Sequence, residues 1–208
     1  MGCRSSASQI RGLAVVFGVR LPRALSPAFI AQALRSSEGI DGLSAAMRGL
    51  IGARTAVLAA IAAIDTDIKR MVRTSDACRR LMTIPGVGQL TALAFAAAVD
   101  EPERFKRSRD IGPYLGLVPR RYQSGEVDYD GHISRRGDTH LRGLLYEAAT
   151  VILTRTSAES SLRSWGLRLR EKIGFKRAAV AVARKLAVVM HAMLRSGQLF
   201  DRTAGVAA

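Results

Sequence analysis

Between residues 43 and 73 the apolar side chains keep helical time. Met47, Leu50, Ile51, Leu58, Ile61, Ile64, Ile68 and Met71 recur at spacings of three, four and seven. That is the period of one face of a long amphipathic helix. Gly49 and Gly52 weaken its start. The pattern serves a core helix or a dimerising coiled coil equally well, and a homo-oligomer joined through this helix is the expected assembly. Composition points the same way. Hydrophobic residues make up 48% of the chain but aromatics only 5%, so the core is built from Ala, Leu, Val and Ile. Such a core favours close-packed helices over aromatic-rich sheets. The expected fold is mainly α: a long linking helix followed by a compact helical domain.

The flanking segments are read from their punctuation. Residues 4–18 form the last turns of a helix, with Ile10, Leu13, Ala14 and Phe17 on one face and little to pack against. Gly18 and Pro22 stop it. Residues 28–35 make a short helix, and 36–42 are a polar break. After the long helix, 79–82 end a helix, 91–99 form a helix of small residues, and 108–115 form a short helix with Asp110 near its start. Residues 119–137 are irregular or hairpin-like. Asp138 caps a helix reaching about 154. Residues 158–172 give a basic helix carrying Trp165, which is expected in the core. A final helix covers 175–194, with Val180, Leu186, Val189, Met190 and Met193 inward and Gly197 as its stop. The expected division is 1–42, 43–75, 76–199 and a loose tail at 200–208.

Lys and Arg total 32 against 17 Asp and Glu, a net charge of +15. An excess of this size attracts polyanions and repels itself, and a nucleic-acid partner relieves both. Residues 151–195 are the most basic stretch. Cys3 and Cys78 stand far apart with no CxxC pair, which supports neither a disulfide framework nor a zinc site. A reducing cytoplasm, in association with the nucleoid, is the expected location. No run of about 18 uncharged apolar residues occurs, so no membrane span is expected.

Two motifs carry chemistry. The first is Ile84-Pro85-Gly86-Val87-Gly88-Gln89-Leu90-Thr91-Ala92. Its glycines permit positive φ and close backbone approach. The amides of Gly86 and Gly88, with the next helix N-terminus, suit a phosphate oxygen. Ile84, Val87 and Leu90 are expected to plug the gap between the helices. The motif resembles a helix-hairpin-helix, and its bland alternative is a tight turn with no ligand. The second motif runs from Arg120-Arg121 through Ser124-Gly125-Glu126 to Gly131-His132-Ile133-Ser134-Arg135-Arg136-Gly137-Asp138 and Leu141-Arg142. Serines beside glycines present their hydroxyls freely, and arginines neutralise phosphate oxygens under attack. Glu126, Asp128, His132 and His140 are candidate assistants to a serine nucleophile.

The order of these motifs, with Phe105 and Tyr114-Leu115-Gly116-Leu117-Val118-Pro119 between them, closely resembles the C-terminal domain of the IS110/IS116/IS902 family of insertion-sequence transposases. The resemblance covers residues 79–199. It implies a DNA recombinase whose serine attacks a DNA phosphate and forms a covalent phosphoserine link. It also implies an N-terminal RuvC-like domain with four acidic residues on magnesium and, in some members, an element-encoded guide RNA. The family's Ser-Gly motif falls on Ser124-Gly125, making Ser124 the expected nucleophile and Ser134 the second candidate. Gly86, Gly88, Arg120, Arg121, Arg135, Arg136 and Arg142 are the expected nucleic-acid contacts. Residues 9–21 look like the end of the RuvC-like domain. Asp41, Asp65, Asp67 and Asp76 lie in or around a helix and do not supply the acidic tetrad, so no metal site is expected in this chain. The chain thus reads as an N-terminally truncated copy: a DNA-binding transposase using serine attack, or alternatively a non-catalytic DNA- or RNA-binding remnant.

Overall fold

A computed structural model describes residues 2–23, 26–124 and 127–203. The fold is mainly α. It divides into two compact units, Met1–Asp67 and Ile68–Ala208, with the boundary inside the long helix.

The first unit contains α1 (Gly2–Val16), α2 (Pro27–Ser37) and most of α3 (Leu43–Thr74). Ser26 caps α2, its hydroxyl accepting from the Phe29 amide, and Pro27 sits in the first turn where its missing N–H costs nothing. The expectation that the first helix has little to pack on is corrected. Ile10 and Ala14 are buried with Phe29, Ala33, Leu43, Met47 and Ile51 in a small core. Helices α1 and α2 thus share a core with the start of α3. Further along α3, Val57, Leu58, Ile61 and Ile64 are exposed and form an uncovered apolar stripe. By length and composition α3 is also apolar enough to cross a membrane. The sequence reading missed this because Arg54 and Asp65 interrupt the apolar run without offsetting it.

The second unit packs α4 (Asp76–Leu81), α5 (Gln89–Val99), α6 (Ile111–Tyr114), α7 (Thr139–Thr154), α8 (Ser161–Ile173) and α9 (Phe175–Ser196) around one core. Ser75 caps α4, Asp138 caps α7 through the amides of His140 and Leu141, and Ser160 caps α8. Gly197 ends α9 in a left-handed conformation, φ +69°. Helix α9 lies centrally, against α7 and α8. Its buried face is Ala178, Ala179, Val182, Ala183, Leu186, Ala187 and Met190. Small residues bring the helices close: a Cβ at Gly166 of α8 would stand 2.6 Å from Val182 and 2.9 Å from Leu153. Trp165 is partly buried against this core, as expected. The stretch after 199 is tied down at its start. The Phe200 amide donates to the Thr83 hydroxyl (3.0 Å), and the Ser161 amide to the Arg202 carbonyl (3.0 Å). Residues 204–208 of the expected tail lie outside the described residues.

His191 of α9 is fully buried, with Nε2 3.0 Å from the Pro102 carbonyl and Nδ1 3.0 Å from the Ser108 hydroxyl. The carbonyl can only accept, so Nε2 carries the proton and Nδ1 accepts from serine. Phe105 meets the ring edge-on at 5.3 Å. Burial lowers the imidazole pKa; the Pro102 carbonyl opposes that shift and Arg195 adds to it. The unfolded chain then binds the extra proton first. Stability is therefore full above the ordinary value of about 6.5 and falls as the pH drops from there toward the lowered folded pKa. Thermal melts from pH 8 to pH 5 are expected to show this decline. His191→Gln should flatten it, and an equal slope in both proteins would place the pH sensitivity elsewhere.

Candidate active site

The residues linking α6 to α7 form an antiparallel hairpin, β1 (Pro119–Ser124) paired with β2 (Val127–Ile133). The register sets Tyr122 opposite Tyr129, Gln123 opposite Asp128 and Ser124 opposite Val127, with an irregularity between Pro119 and Arg121. Successive side chains alternate faces. Tyr122, Tyr129 and Ser124 thus share one face, while Arg121, Gln123 and Asp128 share the other.

On the second face Arg121 grips Asp128 in a two-pronged pair, Nε–Oδ1 2.8 Å and Nη2–Oδ2 2.5 Å. The guanidinium holds the Asp128 carboxyl below its usual range. Asp128 is therefore a committed ion-pair partner and a weak proton acceptor for any serine. On the first face the two tyrosine rings stack at 5.1 Å and 19°. A Cβ at Gly131 would lie 2.6 Å from the Tyr122 ring edge, so glycine is what lets that ring settle on the neighbouring strand.

The base of the hairpin is tightly built. The Ser134 amide donates to Val118 (2.8 Å), the Arg135 amide to Gly116 (3.1 Å), and Arg120 Nη2 to the Ser134 carbonyl (3.2 Å). Arg135 takes a positive φ of 56°, an uncommon conformation for a side-chain-bearing residue. The 134–137 loop crosses directly over the turn after α6. At Gly116, φ +66°, a Cβ would stand 2.1 Å from the Arg136 carbonyl oxygen. At Gly137, φ +76°, it would stand 2.2 Å from that of Tyr114.

Arg142 sits beneath this crossing and is 8% exposed. Its Nη1 donates to the carbonyls of Arg136 (2.7 Å) and Leu115 (3.0 Å), with longer approaches to Gly137 and Asp138, and its Nη2 donates to the Thr139 hydroxyl (3.0 Å). The sequence suggested a phosphate contact; the structure places a buried clamp on the loop.

The remaining candidates are distributed as follows. Ser124 is exposed at the end of β1, and among the described residues no side chain hydrogen-bonds its hydroxyl. Glu126 lies outside the described residues. Ser134 is half-buried with its hydroxyl enclosed and unpartnered. Arg120, Arg135 and Arg136 are exposed around the hairpin base, as are His132 and His140. His140 lines a shallow depression on α7 with Thr139, Gly143, Leu144 and Glu147.

Between α4 and α5, Gly86 takes φ +93° and packs on α7, where a Cβ would meet Ile152 at 2.9 Å and the Ala148 carbonyl at 3.1 Å. Gly88 is exposed and begins α5 from an ordinary extended conformation, φ −89°. Ile84 and Val87 are buried as expected, but Leu90 is 44% exposed and plugs nothing. The carboxylates do not gather. Asp65 and Asp67 lie along α3, Asp76 pairs with Arg79, and among the described residues no three His, Cys, Asp or Glu side chains stand close enough to hold a metal.

The tyrosine stack, the Gly131 seat and the Arg142 clamp escaped sequence reasoning. The alternation Tyr122-x-Ser124 across from Tyr129-x-Gly131 was the available signal.

Residues 78–164 match the family described as Transposase IS116/IS110/IS902 family. The chain is 32% identical over 192 residues to the transposase for insertion sequence element IS1111A of Coxiella burnetii, covering 90% of this chain and 53% of that protein. It is 34% identical over 137 residues to a probable family 20 transposase of Pseudomonas aeruginosa, covering 65% and 40%. It is 27% identical over 124 residues to the pilin gene-inverting protein of Moraxella bovis, covering 59% and 38%. The chain thus spans about half the length, or less, of the curated relatives it matches. Shared motifs and relatives agree: the chain belongs to the IS116/IS110/IS902 transposase family.

Proposed function

We propose that this chain is part of a DNA transposase or recombinase in which Ser124 is the nucleophile. The observation that carries this reading is placement. Ser124 stands exposed at the end of a projecting strand, whereas the Ser134 hydroxyl is enclosed at its base. In the reaction, Ser124 Oγ attacks a DNA phosphorus. The serine–phosphate bond forms as the bond to the departing deoxyribose oxygen breaks, and the hydroxyl proton passes through water to that oxygen. The covalent link keeps the phosphodiester energy available for rejoining strands. Arg120, Arg135 and Arg136 approach the non-bridging oxygens, and the turn at Gly86 and Gly88 holds the backbone as a helix-hairpin-helix would. DNA is the substrate and an element-encoded RNA a further partner, both drawn by the charge of +15. The uncovered stripe on α3 supports self-association through that helix.

The test incubates the chain with DNA carrying the element's ends, its RNA and magnesium, then looks for a protein–DNA adduct on a denaturing gel. The expected result is an adduct lost in Ser124→Ala and kept in Ser134→Ala. An adduct that survives Ser124→Ala overturns the assignment. No adduct, but binding that weakens by about 10³-fold between 50 and 200 mM salt for some six phosphate contacts, would favour the non-catalytic binding remnant.

A further inference from the structure

Tyr122 and Tyr129 present an aromatic surface that the serine chemistry does not use. The rings are stacked on each other yet remain 45% and 56% exposed. Gly131 seats the Tyr122 ring edge on the strand, so the pair lies along the ribbon. Ser124 is two residues beyond Tyr122 on the same face, about 6.8 Å along the strand, roughly one nucleotide's breadth. The charged pair Arg121–Asp128 occupies the opposite face. Arg120, Arg135 and Arg136 are exposed at the hairpin base.

We propose that the Tyr122–Tyr129 pair is a stacking platform for an unpaired nucleobase of a strand whose neighbouring phosphate lies beside Ser124. The inference rests on the nucleic-acid reading of the hairpin but not on the identity of the nucleophile. Every base has a π face, so a tyrosine platform tolerates sequence, and the basic residues at the hairpin base supply the phosphate attraction that brings a strand to it. Two stacked, exposed rings suit a flat partner with a π face. The net charge of +15 selects a polyanion as the carrier of that partner. The platform would hold the base while its flanking phosphate rests beside the serine hydroxyl. Tyr122 and Tyr129 are positioning residues in this scheme and take no part in bond making.

The probe is a short single-stranded oligonucleotide carrying 2-aminopurine, whose fluorescence falls when it stacks. The full chain is expected to quench it. Tyr122→Phe with Tyr129→Phe should retain the quench. Tyr122→Leu with Tyr129→Leu keeps apolar strand residues but removes the π faces. It should lose the quench and weaken binding about tenfold, with an unchanged salt dependence because phosphate contacts persist. Gly131→Ala, which displaces the Tyr122 ring, should lose part of the quench and gives a second reading if the double variant folds poorly. Quench and affinity unchanged in the leucine variant would overturn the platform and leave the rings to a protein-facing role, as would a wild-type chain that binds without quenching. Ser124→Ala should quench as wild type does. A chain that quenches but forms no adduct keeps the platform and removes the serine assignment. An adduct formed at the wild-type rate by a leucine variant with normal quench does the reverse.

Discussion

Gly116→Ala is expected to destabilise the second unit by about 3–5 kcal/mol, combining the left-handed backbone cost with severe overpacking. The new Cβ would meet the Arg136 carbonyl oxygen at 2.1 Å and the Arg136 nitrogen at 2.4 Å. Both are backbone atoms, so no side chain can swing aside. The loop over the turn would have to lift, breaking the bond between the Arg135 amide and the Gly116 carbonyl and loosening the hairpin base. In a thermal melt this corresponds to a fall of roughly 10 °C or more for a unit of this size. Gly143→Ala is the matched control. That glycine is exposed in the middle of α7 with nothing within 4 Å, so alanine there should stabilise by about 0.5–1 kcal/mol through helix propensity. Equal melting temperatures for Gly116→Ala and wild type would mean that the two turns have room for a methyl group between them.

Arg142→Met is the second large effect. Methionine keeps much of the apolar stem but removes every donor, leaving the Leu115 and Arg136 carbonyls buried without partners. At about 1–3 kcal/mol for each orphaned group, the loss should be about 3 kcal/mol. It should appear in urea unfolding as a lower midpoint with an unchanged slope. Arg142→Lys should recover only part, because one ammonium cannot reach two carbonyls and the Thr139 hydroxyl in the geometry of a planar fork. A phosphate-binding role predicts the opposite pattern: stability near wild type in Arg142→Met, with weakened DNA binding and a shallower salt dependence.

Arg142 shows where sequence reasoning stops. An arginine in a basic loop motif is read as a phosphate ligand because residue type is visible and exposure is not. Its burial follows from the crossing of two turns, a long-range fact. The helices were more legible. Apolar periodicity located α3, Asp138 marked the start of α7, and Gly197 marked the end of α9. The inner face of α9 was read through its large residues, whereas Ala178, Ala179, Ala183 and Ala187 fill it. Alanine is common on helix surfaces too, so its presence does not announce a packing face. The hairpin stayed undecided for a related reason. Its first strand is exposed along its whole length, and neither strand has the apolar alternation that marks a half-buried strand. The motif order identified the family region, since Pro-Gly-Val-Gly, Ser-Gly and Ser-Arg-Arg-Gly-Asp stand in sequence regardless of fold. Which serine is accessible was a matter of geometry alone.

The hairpin's construction bears on how the protein breathes. A lone two-strand ribbon is marginally stable in water, and among the described residues this one has no third strand beside it. Its amides should exchange with solvent deuterium far faster than those of α7 or α9, through openings that leave the helical core intact. Only at its foot, where Val118 and Gly116 accept from Ser134 and Arg135, should protection approach that of the globular body. The candidate serine then rides on a lever with a fixed fulcrum, and opening the pairing of β1 with β2 would cost little of the free energy that holds the helical core.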